Sequence, residues 1–212
     1  QDKNVRLAMH HAIDKEALSR ALLNGLSKPI STGSPAGTPA YDTEFKMDFD
    51  IEKAKAYLAK SGYSEAKPVT FKFFATNGVH PADNQMARAI VQMWKRVGIL
   101  KLTYLQEENF SENLFPPQLE TIDFGKYFQE VAAGTLEGPA LWLWNNSTGD
   151  PELYTGSYMN AGTMFSVWRD DVVMDRLSPL LGETNYDKRM QDYKGFNRWI
   201  VEEGYNIPLL EG

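Results

Sequence analysis

The first sixty residues have the hydrophobic spacing of helices. Near the start, apolar side chains recur every three or four residues, at Val5, Ala8, Met9, Ala12 and Ile13. Asp14 is a predicted N-cap for a second helix over Lys15–Leu23. Asp50 is a predicted N-cap for a third helix, which ends at Gly62. Between the second and third helices, residues 28–41 are rich in Pro, Gly, Ser and Thr, which predicts an ordered loop rather than a domain linker.

The middle of the chain changes to the period of strands. Alternating apolar and polar residues predict two strands, one at Val69, Phe71 and Phe73 and the next at Leu100, Leu102 and Tyr104. A predicted helix over about Ala82–Val97 separates them, and a second helix from Phe124 to Val131 precedes a strand over Ala140–Trp144. Because strand, helix and strand connections of this length favour parallel pairing, the pattern predicts an α/β fold with a mixed, mainly parallel sheet flanked by helices.

The last third is predicted to be helical. One apolar stripe consists of Val173, Leu177 and Leu181, and another of Met190, Tyr193, Phe196, Trp199 and Ile200. A short final strand is predicted over Asn206–Leu210. We treat residues 1–212 as a single lobe with a helical C-terminal part.

Composition excludes several partners. The 212 residues are 42% hydrophobic, enough for one substantial core or two modest ones. The formal net charge of −6 gives no basic footprint for nucleic acid or an anionic membrane. There is no cysteine, which removes disulfides, thiol nucleophiles and thiolate metal sites. No apolar run reaches the roughly 20 residues of a membrane span, and a start at Gln1 in helical periodicity indicates a processed or excised chain.

Catalytic signatures are missing from the sequence. It contains no nucleophile elbow, P-loop or dinucleotide-binding glycine motif. His10 and His11 would diverge by about 100° on a helix, so we expect surface or locally bonded histidines rather than metal ligands. We therefore predict no catalytic residue, no metal and no cofactor.

Paired carboxylates support one alternative. Glu107 with Glu108, or Asp170 with Asp171, could serve as the acid and base of a glycosidase whose tryptophans hold sugar. Adjacent acidic residues are usually a solvated face or a helix start. A carbohydrate-active enzyme domain therefore remains the alternative rather than the main hypothesis.

The best candidate for chemistry is a polar loop after the third predicted strand. The strand ends at Trp144 and runs into amides, hydroxyls and a Gly-Asp-Pro turn, which is how a scaffold presents a small-molecule site. The predicted ligand-binding residues are Trp142, Trp144, Asn145, Asn146, Ser147 and Thr148, with Asn109 and Phe110 as weaker candidates. Indoles offer stacking faces, and the amides and hydroxyls offer neutral donors and acceptors.

Several segments in order resemble one family. The run from Val5 to Leu18, the helix after Asp50, the turn at residues 97–99, the string Trp144–Pro151 and the end from Lys188 to Leu209 resemble the second lobe of bacterial solute-binding proteins of the dipeptide, oligopeptide and nickel class. The resemblance covers essentially the whole chain. It implies a periplasmic-binding-protein-like lobe whose first lobe and closing C-terminal segment are absent.

The resemblance also implies a function. Such proteins capture a solute by hinge closure between two lobes and deliver it to the permease subunits of an ABC importer in the inner membrane. We therefore expect a monomer in the periplasm, or anchored at the surface of a Gram-positive cell, that takes a peptide, opine, sugar or conjugate. A sensor or interaction domain of the same fold, without transport, is the remaining alternative.

One position departs from the family pattern. In the dipeptide and oligopeptide binders an aspartate three residues after the tryptophan pairs with the ligand's free α-amino group, and this chain has Ser147 there. A neutral hydrogen bond is roughly half as strong as a charge-assisted one and does not select a cation. Asp150 could replace that anchor, but its place in the Asp-Pro turn favours a structural role.

Overall fold

The computed structural model describes residues 2–64, 66–69, 71–99, 119–143 and 148–211. In chain order the elements are α1 (Lys3–His11), α2 (Lys15–Leu22), β1 (Lys28–Pro29), α3 (Ile51–Lys60), β2 (Phe73–Ala75), α4 (Asp83–Lys95), β3 (Leu119–Thr121), α5 (Phe124–Ala133), a π-helical turn (Glu152–Gly156) continuing into α6 (Ser157–Met159), α7 (Asp171–Leu181), α8 (Tyr186–Glu202) and β4 (Leu210–Glu211). They form two compact units. The first unit contains residues 1–26, 48–124 and 137–143, and the second contains residues 27–47, 125–136 and 144–212.

Two helices of the first unit have the N-caps that the sequence predicts. The Asp14 carboxylate accepts a hydrogen bond from the backbone N–H of Ala17 at 2.8 Å. The Asp50 carboxylate accepts one from the backbone N–H of Lys53 at 2.9 Å. Each satisfies a helix N–H that has no partner within its helix.

The first unit is built around a parallel strand pair. β2 pairs with β3 in parallel, with Phe73 opposite Leu119 and Ala75 opposite Thr121. Phe74 also forms a parallel bridge to Ala140, so β2 lies between β3 and the backbone at residues 139–141. The described strands of this unit are parallel, as the predicted fold class requires, but β3 is a strand that the sequence did not predict, and the predicted partner at residues 100–104 lies outside the described residues.

The structure corrects the prediction of a half-buried strand at residues 69–73. In β2 the consecutive residues Phe73, Phe74 and Ala75 are all buried. A strand with neighbours on both edges and covered on both faces is apolar throughout rather than alternating. The indole of Trp94, on α4, covers one face: it lies edge-on to Phe73 at 4.9 Å and donates a hydrogen bond to the Met9 carbonyl at 3.0 Å. The predicted strand at Leu100, Leu102 and Tyr104 lies outside the described residues.

The second unit has a helical core, as predicted for the last third of the chain. α7 and α8 bury Val173, Leu177, Tyr193 and Ile200 against Met159. β4 closes the unit by pairing antiparallel with β1. The predicted final strand over residues 206–210 is thus only two residues long, and it starts four residues later and ends one residue later than expected.

Candidate functional site

Three chain segments leave the sheet of the first unit at the carboxyl ends of its strands, and each carries an aromatic ring. The Trp142 ring lies parallel to the Phe124 ring, with centroids 5.6 Å apart and an interplanar angle of 7°. The His80 ring meets Trp142 edge-on at 5.7 Å and 86°. We call His80, Phe124 and Trp142 the aromatic wall. Ligands of parallel sheets bind beyond the carboxyl ends of the strands, which is where this wall lies.

Apolar surface continues from the aromatic wall into solvent. The exposed fractions are 40% for Phe124, 42% for Val79 and 51% for Leu143. Phe124 belongs to the wall, Val79 precedes His80, and Leu143 follows Trp142. Exposed apolar side chains that cluster at a strand edge are typical of a binding surface.

Asp83 organises the turn that carries His80. Its carboxylate, 6% exposed, accepts hydrogen bonds from the backbone N–H groups of Gly78 at 3.0 Å, Val79 at 3.1 Å and His80 at 3.2 Å. It also accepts one from the Thr76 hydroxyl at 2.8 Å. The loop between β2 and α4 is therefore wrapped around one buried carboxylate.

The charge of that carboxylate is stabilised by its donors. Burial alone would raise the pKa of Asp83, but the hydrogen bonds from Gly78, Thr76 and His80 outweigh it and lower the pKa to about 2. Asp83 is therefore ionised at neutral pH, and its role is to hold the turn. His80 Nε2 is buried and has no hydrogen-bond partner among the residues that the structure describes.

The predicted ligand residues fall in different parts of the structure. Trp142 belongs to the aromatic wall of the first unit. Thr148 lies in the second unit, where its hydroxyl accepts a hydrogen bond from the backbone N–H of Asp150 at 3.2 Å. The other predicted residues, Trp144, Asn145, Asn146, Ser147, Asn109 and Phe110, lie outside the described residues.

Asp150 has a structural partner. Its Oδ2 accepts from Arg189 Nη1 at 2.6 Å, and its Oδ1 accepts from Arg189 Nη2 at 2.9 Å. The hydrogen bond from Arg189 lowers the pKa of Asp150 below its ordinary value. Its use as a substitute amine anchor is therefore disfavoured, because both carboxylate oxygens are engaged by one guanidinium.

His10 and His11 are buried, not on the surface, and are bonded locally. His10 Nε2 lies 3.1 Å from Lys15 Nζ. His11 Nδ1 lies 2.8 Å from the Asp48 carbonyl, and its ring stacks on Tyr57 with centroids 5.7 Å apart. Across the described residues, no group of three or more His, Asp or Glu side chains is placed to hold a metal ion. In the same part of the chain, no helix has both the length and the apolar character needed to cross a membrane.

The sequence did not predict Phe124, Asp83 or His80 as residues of the candidate site. Phe124 was predicted only as the first residue of a helix. The strand before it, Leu-Glu-Thr, was not predicted, because it shows no alternation of apolar and polar residues. A signal for Asp83 was present: an aspartate after a Gly-containing turn and a proline, at the start of a helix, is typical of a residue that holds backbone N–H groups.

Comparison with known proteins agrees with this architecture. Residues 1–165 match the family described as bacterial extracellular solute-binding proteins, family 5 middle. The di/tripeptide-binding protein 1 of Pseudomonas aeruginosa is 24% identical over 211 residues, which cover 97% of this chain and 36% of that protein. Heme-binding protein A of Haemophilus influenzae is 25% identical over 211 residues, with the same two coverages of 97% and 36%.

A solved structure shows the same fold. The ABC transporter-associated periplasmic binding protein DppA from Helicobacter pylori, in complex with the peptide STSA, superposes with a TM-score of 0.74 at 19% identity, over 99% of this chain and 38% of that one. The chain thus spans 36% of the length of the two curated relatives above. The fold is that of a periplasmic-binding-protein lobe, and the chain belongs to the bacterial extracellular solute-binding proteins of family 5.

Proposed function

We propose that this chain is the second lobe of a two-lobe solute-binding protein, and that the complete protein captures a small polar solute by hinge closure and delivers it to an ABC permease. Relatives named for di/tripeptide and heme binding, and a solved relative named as periplasmic and ABC transporter-associated, support this role and a location outside the cytoplasmic membrane. The members named here bind rather than catalyse, so we propose no enzymatic activity. Peptide-like solutes, opines, sugars and conjugates remain the proposed classes.

The aromatic wall is the observation that carries the proposal. A single lobe that contributes half of a cleft must present solvent-exposed apolar surface where the solute will be enclosed, and closure then removes that surface from water. Phe124, which is 40% exposed, and the partly buried Trp142 that stacks on it present such a surface at the carboxyl edge of the parallel strands. An isolated lobe buries only one side of a solute, so we expect the complete protein to be needed for tight binding.

We propose that uncharged side chains recognise the polar part of the solute. Ser147 stands where a free-amine binder of this family has its aspartate. The two acidic residues that follow in the chain, Asp150 and Glu152, both pair with Arg189. Without a carboxylate assigned to an α-ammonium group, the site is suited to N-blocked peptides, opines or sugars at least as well as to ordinary peptides.

A ligand screen of the complete protein tests the function. Thermal shift and calorimetry would compare alanyl-phenylalanine, its N-acetylated form, an opine and a maltooligosaccharide as probes. A ligand that binds only the folded state at 100 times its Kd stabilises by about 2.7 kcal/mol, which a thermal shift detects easily. If none of the four classes raises the melting temperature, the proposal is wrong.

A variant of the aromatic wall links that binding to the site. Trp142→Ala removes a stacking face and should weaken the best probe by about tenfold. Tyr186→Ala is the matched control, because Tyr186 is an exposed aromatic residue, 60% exposed, outside the wall. Equal affinities in the two variants would place the solute elsewhere.

A further inference from the structure

Arg189, in the second unit, pairs with two carboxylates. It lies on α8, with 14% of its side chain exposed, and it bridges two carboxylates that are close in sequence. Its two Nη atoms bond both oxygens of Asp150, and Nη2 also donates to Glu152 Oε2 at 2.9 Å. Such a fork geometry fixes direction as well as distance, which a single point charge does not.

The carboxylates held by Arg189 mark where the chain leaves the predicted ligand loop. Asp150 follows Ser147 by three residues and precedes Pro151, the N-cap residue of the π-helical turn. The Asp150 side chain also accepts a hydrogen bond from the backbone N–H of Glu152 at 2.9 Å. These contacts tie the backbone of the first residues after the loop, Asp150 to Glu152, to α8.

The guanidinium of Arg189 packs against an aromatic ring of its own helix. Its central carbon lies 5.0 Å from the centre of the Tyr193 ring, one turn along α8. Gly156 lies against the same cluster, since a Cβ there would lie 2.9 Å from Glu152 Cγ and 3.1 Å from the Tyr193 hydroxyl. The π-helical turn, its two acidic residues and α8 thus form one packed unit.

From this geometry we propose that Arg189 is a positioning residue for solute binding: it fixes the exit of the ligand loop on α8 without touching the solute. This inference rests on the proposed function, because it takes the loop to be a ligand loop. The same pairing disfavours Asp150 and Glu152 as amine anchors, since Arg189 engages their charge.

The test measures loop order and affinity separately in the complete protein. Hydrogen exchange of a peptide spanning residues 148–153, without any ligand, reports the order of the loop exit. Arg189→Gln should speed that exchange by about tenfold, and Arg189→Lys, which keeps the charge but loses the fork, should give a smaller increase. The affinity for the best of the four probes above should fall about tenfold in Arg189→Gln and less in Arg189→Lys.

Arg198→Gln is the matched control. Arg198 lies on the same helix and pairs with the buried Asp42 at 2.7 Å, so its loss removes a comparable ion pair outside the loop. It should leave the exchange of residues 148–153 and the probe affinity unchanged.

The outcomes separate the two proposals. Unchanged exchange in Arg189→Gln would overturn the positioning role, and so would faster exchange with unchanged affinity. A fall in affinity equal to that of Arg198→Gln would also overturn it, because the effect would then be general destabilisation. If no probe binds the unmodified protein, the proposed function fails, and the exchange data still decide whether Arg189 holds this segment.

Discussion

Replacing Asp83 by Asn should destabilise the first unit and loosen the turn that carries His80. One carboxylate accepts from three successive backbone N–H groups at 3.0 to 3.2 Å and from the Thr76 hydroxyl at 2.8 Å. The substitution keeps the size of the side chain. It removes the charge and turns one acceptor oxygen into an NH₂ group, which then faces donors.

The magnitude follows from the pKa of Asp83, which is lowered from 3.8 to about 2. At about 1.36 kcal/mol per pKa unit, the charged carboxylate contributes roughly 2 kcal/mol to the free energy of unfolding at pH 7. The misplaced NH₂ group adds to this, so we expect a loss of about 2 to 4 kcal/mol. For a chain of this size, that corresponds to a fall in Tm of roughly 5 to 15 °C.

The sign of the pH dependence is fixed by the depressed pKa. The contribution is fully present above the unfolded pKa of about 4 and is lost as pH falls through the folded value of about 2. Urea unfolding followed by circular dichroism should therefore show the difference between wild type and Asp83→Asn falling by about 1 kcal/mol between pH 7 and pH 3.

Asp14→Asn is the control for this experiment. Asp14 caps α2 through one backbone N–H, and Asn is an equally good N-cap, so the change should cost less than about 0.5 kcal/mol. If Asp83→Asn also costs less than 0.5 kcal/mol at pH 7, or if its effect is independent of pH, the reasoning about this carboxylate is wrong.

Three further predictions concern separate parts of the chain. Burial lowers the pKa of Lys15 to about 8. Because the unfolded chain then binds more protons than the folded chain between about pH 8 and 10.5, the free energy of unfolding should rise by roughly 3 kcal/mol across that range. Urea unfolding of Lys15→Met should show no such rise. Gly138→Ala should lower the free energy of unfolding in urea by at least about 2 kcal/mol, because a Cβ there would lie 2.3 Å from the Lys72 carbonyl oxygen. Gly195→Ala in α8 is the control: a Cβ there would have no neighbour within 4 Å, so the change should be neutral or stabilising. Ser147→Asp in the complete protein should shift calorimetric preference from N-acetylated to free-amine dipeptides, and an unshifted preference would place the amine site elsewhere.

Helices and their caps were predictable because their signals are local. The Asp14 and Asp50 caps need only a carboxylate three residues before an N–H, and α8 repeats apolar residues over 17 positions. β2 was placed too early, since burial on both faces removes the alternation that marks a strand. β3 has three residues, two of them polar, so its own sequence gives no strand signal, and it is its pairing with β2 that stabilises it as a strand.

The candidate site was only partly predictable for a similar reason. Trp142 was identified because it follows an apolar run. Phe124 and His80 reach it only through the parallel pairing of strands far apart in the sequence. The partner of Asp150, Arg189, is 39 residues away on α8, a contact that no local pattern contains.

A structure of the complete protein with its solute bound tests the central claim most directly. We predict solute atoms within about 4 Å of the Phe124 and Trp142 rings, on the face beyond the carboxyl ends of β2 and β3. A solute enclosed elsewhere, with both rings still facing solvent, would contradict it.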